Sequence, residues 1–131
     1  MTAATMNSIG AAWETYTPTV SSATGTITSF GNRLGKYTRI QKLVIVNYDI
    51  TITNNGTGAT WVNVSKPITS VATLGGGTGL IGTGMETAVV GVSQTVRDGG
   101  TGTVLLQNLV GGGYPGGNNY RLTGFFIYEA A

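Results

Sequence analysis

The 131-residue chain contains no histidine and no cysteine. Those two absences exclude Cys/His zinc sites, thiol catalysis, disulfides and every Ser-His-Asp arrangement. Charge is scarce as well, at 9% of residues, against about 25% in an average soluble domain. Seven cations and five acids leave a net charge of +2, far from the dense basic face that nucleic-acid binding needs. No apolar run approaches the length of a membrane-spanning helix, and no membrane insertion is expected. The first dozen residues carry no cation and no sustained apolar run, so a cleaved signal peptide is not expected either.

Glycine and threonine dominate what is there, with 22 residues each. Glycine is a poor helix former and threonine a strand former, so the composition points to an all-β protein with many turns. Residues 1–12 are small, uncharged and aperiodic, an N-terminal arm that would be disordered alone and is expected to dock on a neighbouring subunit or a larger particle. From Trp13 to Ala131 short alternating segments separated by turn signals predict a single domain. The expected strands are Thr15–Val20, Gly25–Phe30, Gly35–Ile40, Leu43–Thr53, Thr60–Val64, Thr87–Val96, Thr103–Leu109 and Tyr120–Glu129, with Gly75–Gly84 a loop or weak strand. Turns are expected at Gly31-Asn32, at Asn54–Gly58 (a hairpin) and at Asp98–Gly100. In Leu43–Thr53 the residues Val44, Val46, Tyr48, Ile50 and Ile52 alternate with polar or outward positions, a period that only a strand produces. About eight strands of this spacing read as an antiparallel β-sandwich, jelly-roll-like.

Signals for chemistry are weak. Gly77-x-Gly79-x-x-Gly82 matches the dinucleotide fingerprint, but a chain this rich in glycine yields about 0.6 chance matches, and the strand–turn–helix context is missing. The acids Glu14, Asp49, Glu86, Asp98 and Glu129 are scattered, whereas a glycosidase needs two carboxylates about 5 to 9.5 Å apart. Structural use of these carboxylates is expected, with no catalytic residues, no metal and no cofactor. Arg33, Lys36, Arg39 and Lys42 form the one charge cluster, and alternation divides it between two faces of a strand. Trp61 alternates with Val62 and so points away from the core, free to meet a ligand or a subunit. Tyr114 sits in a Gly/Asn loop, where an aromatic either rests on the sheet or serves as a recognition anchor, and Tyr120 follows that loop. Tyr114, Trp61 and Tyr120 are the candidate ligand contacts; Trp13 and Tyr16 are candidate partner or arm contacts.

The segments Trp13-Glu14-Thr15-Tyr16-Thr17-Pro18-Thr19 and Gly35-Lys36-Tyr37-Thr38-Arg39-Ile40, followed by Val44-Ile45-Val46 and Ile50-Thr51-Ile52, carry a likeness. Together with the closing Thr123-Gly124-Phe125-Phe126-Ile127-Tyr128-Glu129, this order resembles a domain of tailed-bacteriophage tail fibres and minor tail proteins. One departure is Gln41, which stands where that family commonly has glycine and implies a different Ile40–Leu43 turn. The resemblance implies a trimeric β-sandwich on a phage particle, often in contact with host surface glycans. Pro18 would shape the entry strand, Gly35 a turn, and Tyr37 a core or interface contact. The expected function is therefore that of a virion structural protein, a tail-fibre or adhesin module. The alternative is a capsid decoration or head-fibre protein that covers the shell. Expected partners are two further copies of the chain, other virion proteins through the arm, and a host glycan.

Overall fold

The computed structural model describes residues 12–71 and 79–131. Nine strands make up one antiparallel sheet: β1 Glu14–Tyr16, β2 Val20–Thr24, β3 Ser29–Ile40, β4 Leu43–Asn54, β5 Ala59–Ser65, β6 Leu80–Glu86, β7 Ser93–Asp98, β8 Thr103–Asn108 and β9 Tyr120–Glu129. The all-β antiparallel architecture is as the composition implies, with nine strands in place of about eight. Their order across the sheet is β1-β3-β4-β9-β6-β7-β8-β5-β2. The sheet curls until its two outermost strands are successive pieces of the same chain. Between Tyr16 and Val20 lie three residues, so the two edges are separated by at most about 14 Å of extended backbone. There the Tyr16 hydroxyl donates to the Ser65 carbonyl at 3.0 Å, and Thr19 and Ser65 exchange two further hydrogen bonds. Pro18, which cannot donate to a ladder, occupies the bend.

The alternation of β4 is realised in full. Val44, Val46, Ile50 and Ile52 are completely buried, and Tyr48 nearly so. β9 lies beside β4 in unbroken register, from Leu43 opposite Glu129 to Ile52 opposite Tyr120. Its inward residues Leu122, Phe126 and Tyr128 meet Val62 and Val64 of β5, Val96 of β7 and Val104 and Leu106 of β8 in one cluster. Phe126 stacks on Tyr128, with centroids 6.0 Å apart, and tilts against Tyr48. Inner residues thus come from both halves of the curl, which is how a rolled sheet buries a core without helices.

Several sequence expectations are corrected. Thr15–Val20 is two strands, because its halves pair with opposite edges. Gly25 adopts φ +71 and leads the chain out of the sheet, so no strand runs from Gly25 to Phe30. Gly31-Asn32 is an irregularity inside β3, where the register with β4 shifts between Phe30 and Arg33. Asn54–Gly58 has the chemistry of a hairpin turn, with Gly56 at φ +57, yet β5 does not pair with β4. The segment is a corner that carries the chain across the core to the other layer. Thr87–Val96 divides into a loop and β7, and the strand before it is β6. Asp98 ends β7 with a buried side chain instead of lying in a solvent-facing turn. Gly35 is not a turn residue: it pairs with Tyr16 in mid-strand, and a side chain there would meet the Tyr16 ring at 2.1 Å. The arm up to residue 11 and Gly77 of the glycine motif lie outside the described residues.

The β3–β4 turn explains Gln41. Its φ is +55, a conformation that glycine enters without strain and a side chain does not. Gln41→Gly should therefore raise stability by about 1 kcal/mol, less the extra chain entropy of glycine. Urea unfolding of the two proteins measures it, and a loss of stability would show that the Gln41 side chain makes a compensating contact.

Candidate functional site

Antiparallel alternation sorts the connections into two poles. At one lie residues 41–42, 66–71, 99–102 and the last residues, 130–131, while 17–19 link β1 to β2, which both run from this pole toward the other. At the other lie 25–28, 54–58, 87–92 and 109–119. The described chain enters and leaves at the first pole, and the second is made only of connecting loops.

A buried ion pair organises the first pole. The Lys66 ammonium donates to Asp98 Oδ1 at 2.8 Å, Ser70 Oγ at 2.9 Å and the Gly100 carbonyl at 2.7 Å, so all three of its protons are used. It also sits 5.0 Å from the Tyr128 ring centroid. A desolvated charge needs such complete pairing.

At the loop pole the organiser is Glu86, also fully buried. Its carboxylate accepts the N–H groups of Ala88, Val89, Val90 and Gly91 at 2.6–3.1 Å, together with that of Arg121 at 3.0 Å. Burial pushes this carboxyl up, but the N–H groups of Val90, Arg121, Ala88 and Val89 outweigh it and bring it down to about 2. The tip of the β6–β7 loop is thereby fixed around an anion. It holds Val89 and Val90 out to solvent, 58% and 49% exposed. Next to it, Leu109 N–H donates to the Ser93 carbonyl. Leu109 and Val110 are 60% and 86% exposed. Four branched aliphatic side chains on two neighbouring loops, one of them braced by five amide bonds, are the salient surface of this pole.

The aromatic candidates sit differently. Tyr114 is partly buried against the core, its hydroxyl donates to Asn55 Oδ1 at 2.6 Å, and its carbonyl accepts from Asn108 Nδ2 at 3.1 Å. Its ring covers Gly116, and the Tyr120 ring covers Gly117; a side chain at either glycine would meet the ring at 2.6 Å. Tyr114 and Tyr120 therefore tie the long loop down, the first of the two placements open to Tyr114. Trp61 lies apart from them on the outer face of β5, half-buried, its indole N–H donating to Asn63 Oδ1. The residue before it, Thr60, has φ +78, an unusual conformation for a β-branched residue and one that reaims the strand ahead of Trp61. Tyr16 packs edge-on against Tyr37 at 5.9 Å and belongs to the frame, whereas Trp13 is 49% exposed.

Register places Arg33 and Arg39 on the Tyr37 side of β3 and Lys36 on the other. Arg33 lies 5.0 Å from the Phe30 ring centroid, Arg39 donates to the Gln41 carbonyl, and Lys42 approaches Glu129 at 3.9 Å. The four cations are thus spread over the strand and its turn. Each acid is engaged by a different donor: Glu14 by the Tyr37 hydroxyl, Asp49 by the Arg121 guanidinium, Glu86 by amides, Asp98 by Lys66 and Glu129 by Lys42. Among the described residues no group of three or more Asp or Glu side chains is placed to hold a metal ion. No known protein-family model matches the chain, and no curated protein matches it in sequence.

Glu86 sets a pH dependence with a definite sign. Its folded value lies below the ordinary glutamate value of 4.5, so its contribution to stability is complete above about pH 4.5 and is lost as pH falls toward 2. Glu86→Gln should flatten that acid limb, accelerate amide exchange at residues 88–91 and cost about 1.5–3 kcal/mol, as expected for hydrogen bonds to a charge. Tyr114→Ala should also destabilise, by about 2 kcal/mol, by vacating a partly buried site and stranding Asn55. Thermal melts from pH 2 to 7 test both.

Proposed function

We propose that this chain is a surface module of a bacteriophage virion, of the tail-fibre adhesin type, attached at its terminal pole and meeting the host cell surface with its loop pole. The observation that carries this reading is the segregation of the poles. A pole stiffened by Lys66 and Asp98 lies at one end of the strands, and a braced, apolar, charge-poor set of loops lies at the other. Fixing a loop before it binds removes ordering entropy from the cost of association, which is the physical use of five amides spent on one carboxylate. Exposed aliphatics on such a tip suit contact with the apolar faces of surface glycans or with a receptor protein. The likeness of Trp13–Thr19 and Gly35–Ile40 to phage fibre domains supports the same reading, and these two segments form one packing unit here, with Tyr16 over Gly35 and Glu14 beside Tyr37. Association into a homotrimer, with the arm engaging other virion proteins, completes the proposal.

Labelled antibody against the chain should mark fibre tips on intact particles, and purified protein should compete with particles for adsorption to host cells. Val110→Asp and Val89→Asp should each weaken that competition at least tenfold, about 1.4 kcal/mol, with unchanged melting temperature. Label spread over the capsid shell, with no competition by the wild-type protein, would establish the decoration role instead.

A further inference from the structure

The outward face of β3, β4, β9 and β6 carries an apolar stripe that the fold itself leaves uncovered. Ile45 lies opposite Ile127, Leu43 opposite Ile40, and Phe125 opposite Asn47, with Met85 opposite Thr123 on the next strand pair. Ile40, Leu43, Met85, Phe125 and Ile127 are each between 37% and 43% exposed. Isolated exposed aliphatics need no explanation, but a contiguous set across four strands marks a contact surface. We propose that this face seats a second copy of the same chain, with like faces meeting around a symmetry axis that runs along the strands.

Three observations choose that occupant. Four strands at about 4.8 Å spacing and ten paired residues at about 3.3 Å rise give a face of about 19 by 33 Å, roughly 600 Å² before side-chain relief, of the order of the 800 Å² per partner of a stable interface. Charge is sparse within the face: Lys42 is paired with Glu129 at one end of the stripe, Arg121 holds Asp49 with two hydrogen bonds of 2.6 and 2.9 Å at the other, and between them exposed Lys36, opposite Asn47, adds one cation. One cation per copy gives an acidic partner little to pair with, whereas an identical face meets a matching apolar stripe at the cost of a single like-charged pair of Lys36 side chains, which stay at the solvent-facing margin on β3. Finally, an axis along the strands sends every loop pole the same way. This is the arrangement required if each copy is attached at its terminal pole, so the proposal rests on the self-association in the functional reading and specifies its surface.

The chain has no cysteine, so single-cysteine probes report this geometry cleanly. Light scattering of the purified full chain over a dilution series should give a multiple of 13.4 kDa. Ile127→Lys should shift assembly to at least 100-fold higher concentration with an unchanged melting curve. Asn47→Cys on the stripe should form an interchain disulfide under mild oxidation, while Ser21→Cys on the outside of β2 should not. A wild-type monomer at every concentration overturns the proposal, as does an Ile127→Lys protein that assembles like the wild type. Crosslinking through Ser21→Cys but not Asn47→Cys overturns it too, by moving the contact to the opposite layer. None of these outcomes depends on host binding, so failure of the adhesin reading and failure of this interface are read separately.

Discussion

Every inner contact in this molecule depends on the sheet closing at Thr17–Pro18–Thr19. A nine-stranded antiparallel sheet left open would expose two edges and one apolar face. Here the chain crosses from one edge to the other in three residues, and the hydrogen bonds of Tyr16 and Thr19 with Ser65 fasten the seam. Once the ends are joined, the inward faces of β4, β9, β5 and β8 have nowhere to go but against one another. The short β1 also covers Gly35–Tyr37 on the outer edge of β3, part of the unpaired edge through which sheets aggregate. Closure is demanding on close approach. A side chain at Gly84 or Gly124 would meet the Tyr48 hydroxyl at 2.2 or 2.5 Å, and Gly35 must be bare for Tyr16 to reach the seam.

Curling leaves two open poles, and each is closed by a buried charge. At the terminal pole Lys66 and Asp98 tie residues 66–70 to the β7–β8 turn. Such a pair is weak as net stabilisation, because desolvation offsets most of the attraction, but it is strong as a geometrical constraint, because removing either partner strands the other. At the loop pole Glu86 needs no cation: the amides of its own following loop surround it. The same chemistry serves opposite ends. One pole is locked shut, while the other is locked in a shape that leaves aliphatic side chains outside.

How much of this was legible in sequence depended on whether the signal was local. β4 and β9 were legible because five inward residues at period 2 record burial directly. The corner at Asn54–Gly58 was not, since turn chemistry specifies the backbone of four residues and says nothing about which strand the chain pairs with afterwards. Thr87-Ala88-Val89-Val90 has strand propensity, and only a carboxylate one residue upstream, able to collect its amides, holds it as a loop. The separation of inward from outward residues put Trp61 on the outside and divided the cations of β3 correctly, yet neither signal marked the exposed tips. Val89, Val90, Leu109 and Val110 look in sequence like core residues, and only the register of the neighbouring strands shows that they lie past the end of the sheet.

The tyrosines illustrate why the aromatic residues turned out to frame the candidate site instead of lining it. A chain with so few charged side chains still needs long polar groups to fasten distant segments, and a phenol does this at modest entropic cost. Tyr16 reaches Ser65, Tyr37 reaches Glu14, Tyr114 reaches Asn55 and Tyr128 reaches Ile68, each hydroxyl ending on an acceptor 23 or more residues away. Tyr48 is the contrast: its buried hydroxyl meets no hydrogen-bond partner among the described residues, and its ring is held by packing. With the phenols committed to these ties, an exposed surface of this composition is left with threonine, glycine and branched aliphatics. Recognition by such a surface must come from shape and apolar contact, and shape is available only where a loop is prevented from moving. Glu86 supplies that restraint at the tip, and the pairing of β4 with β9 supplies it on the outer stripe. The two surfaces proposed to meet partners are thus the two places where aliphatic side chains stand on a backbone that cannot relax away from them.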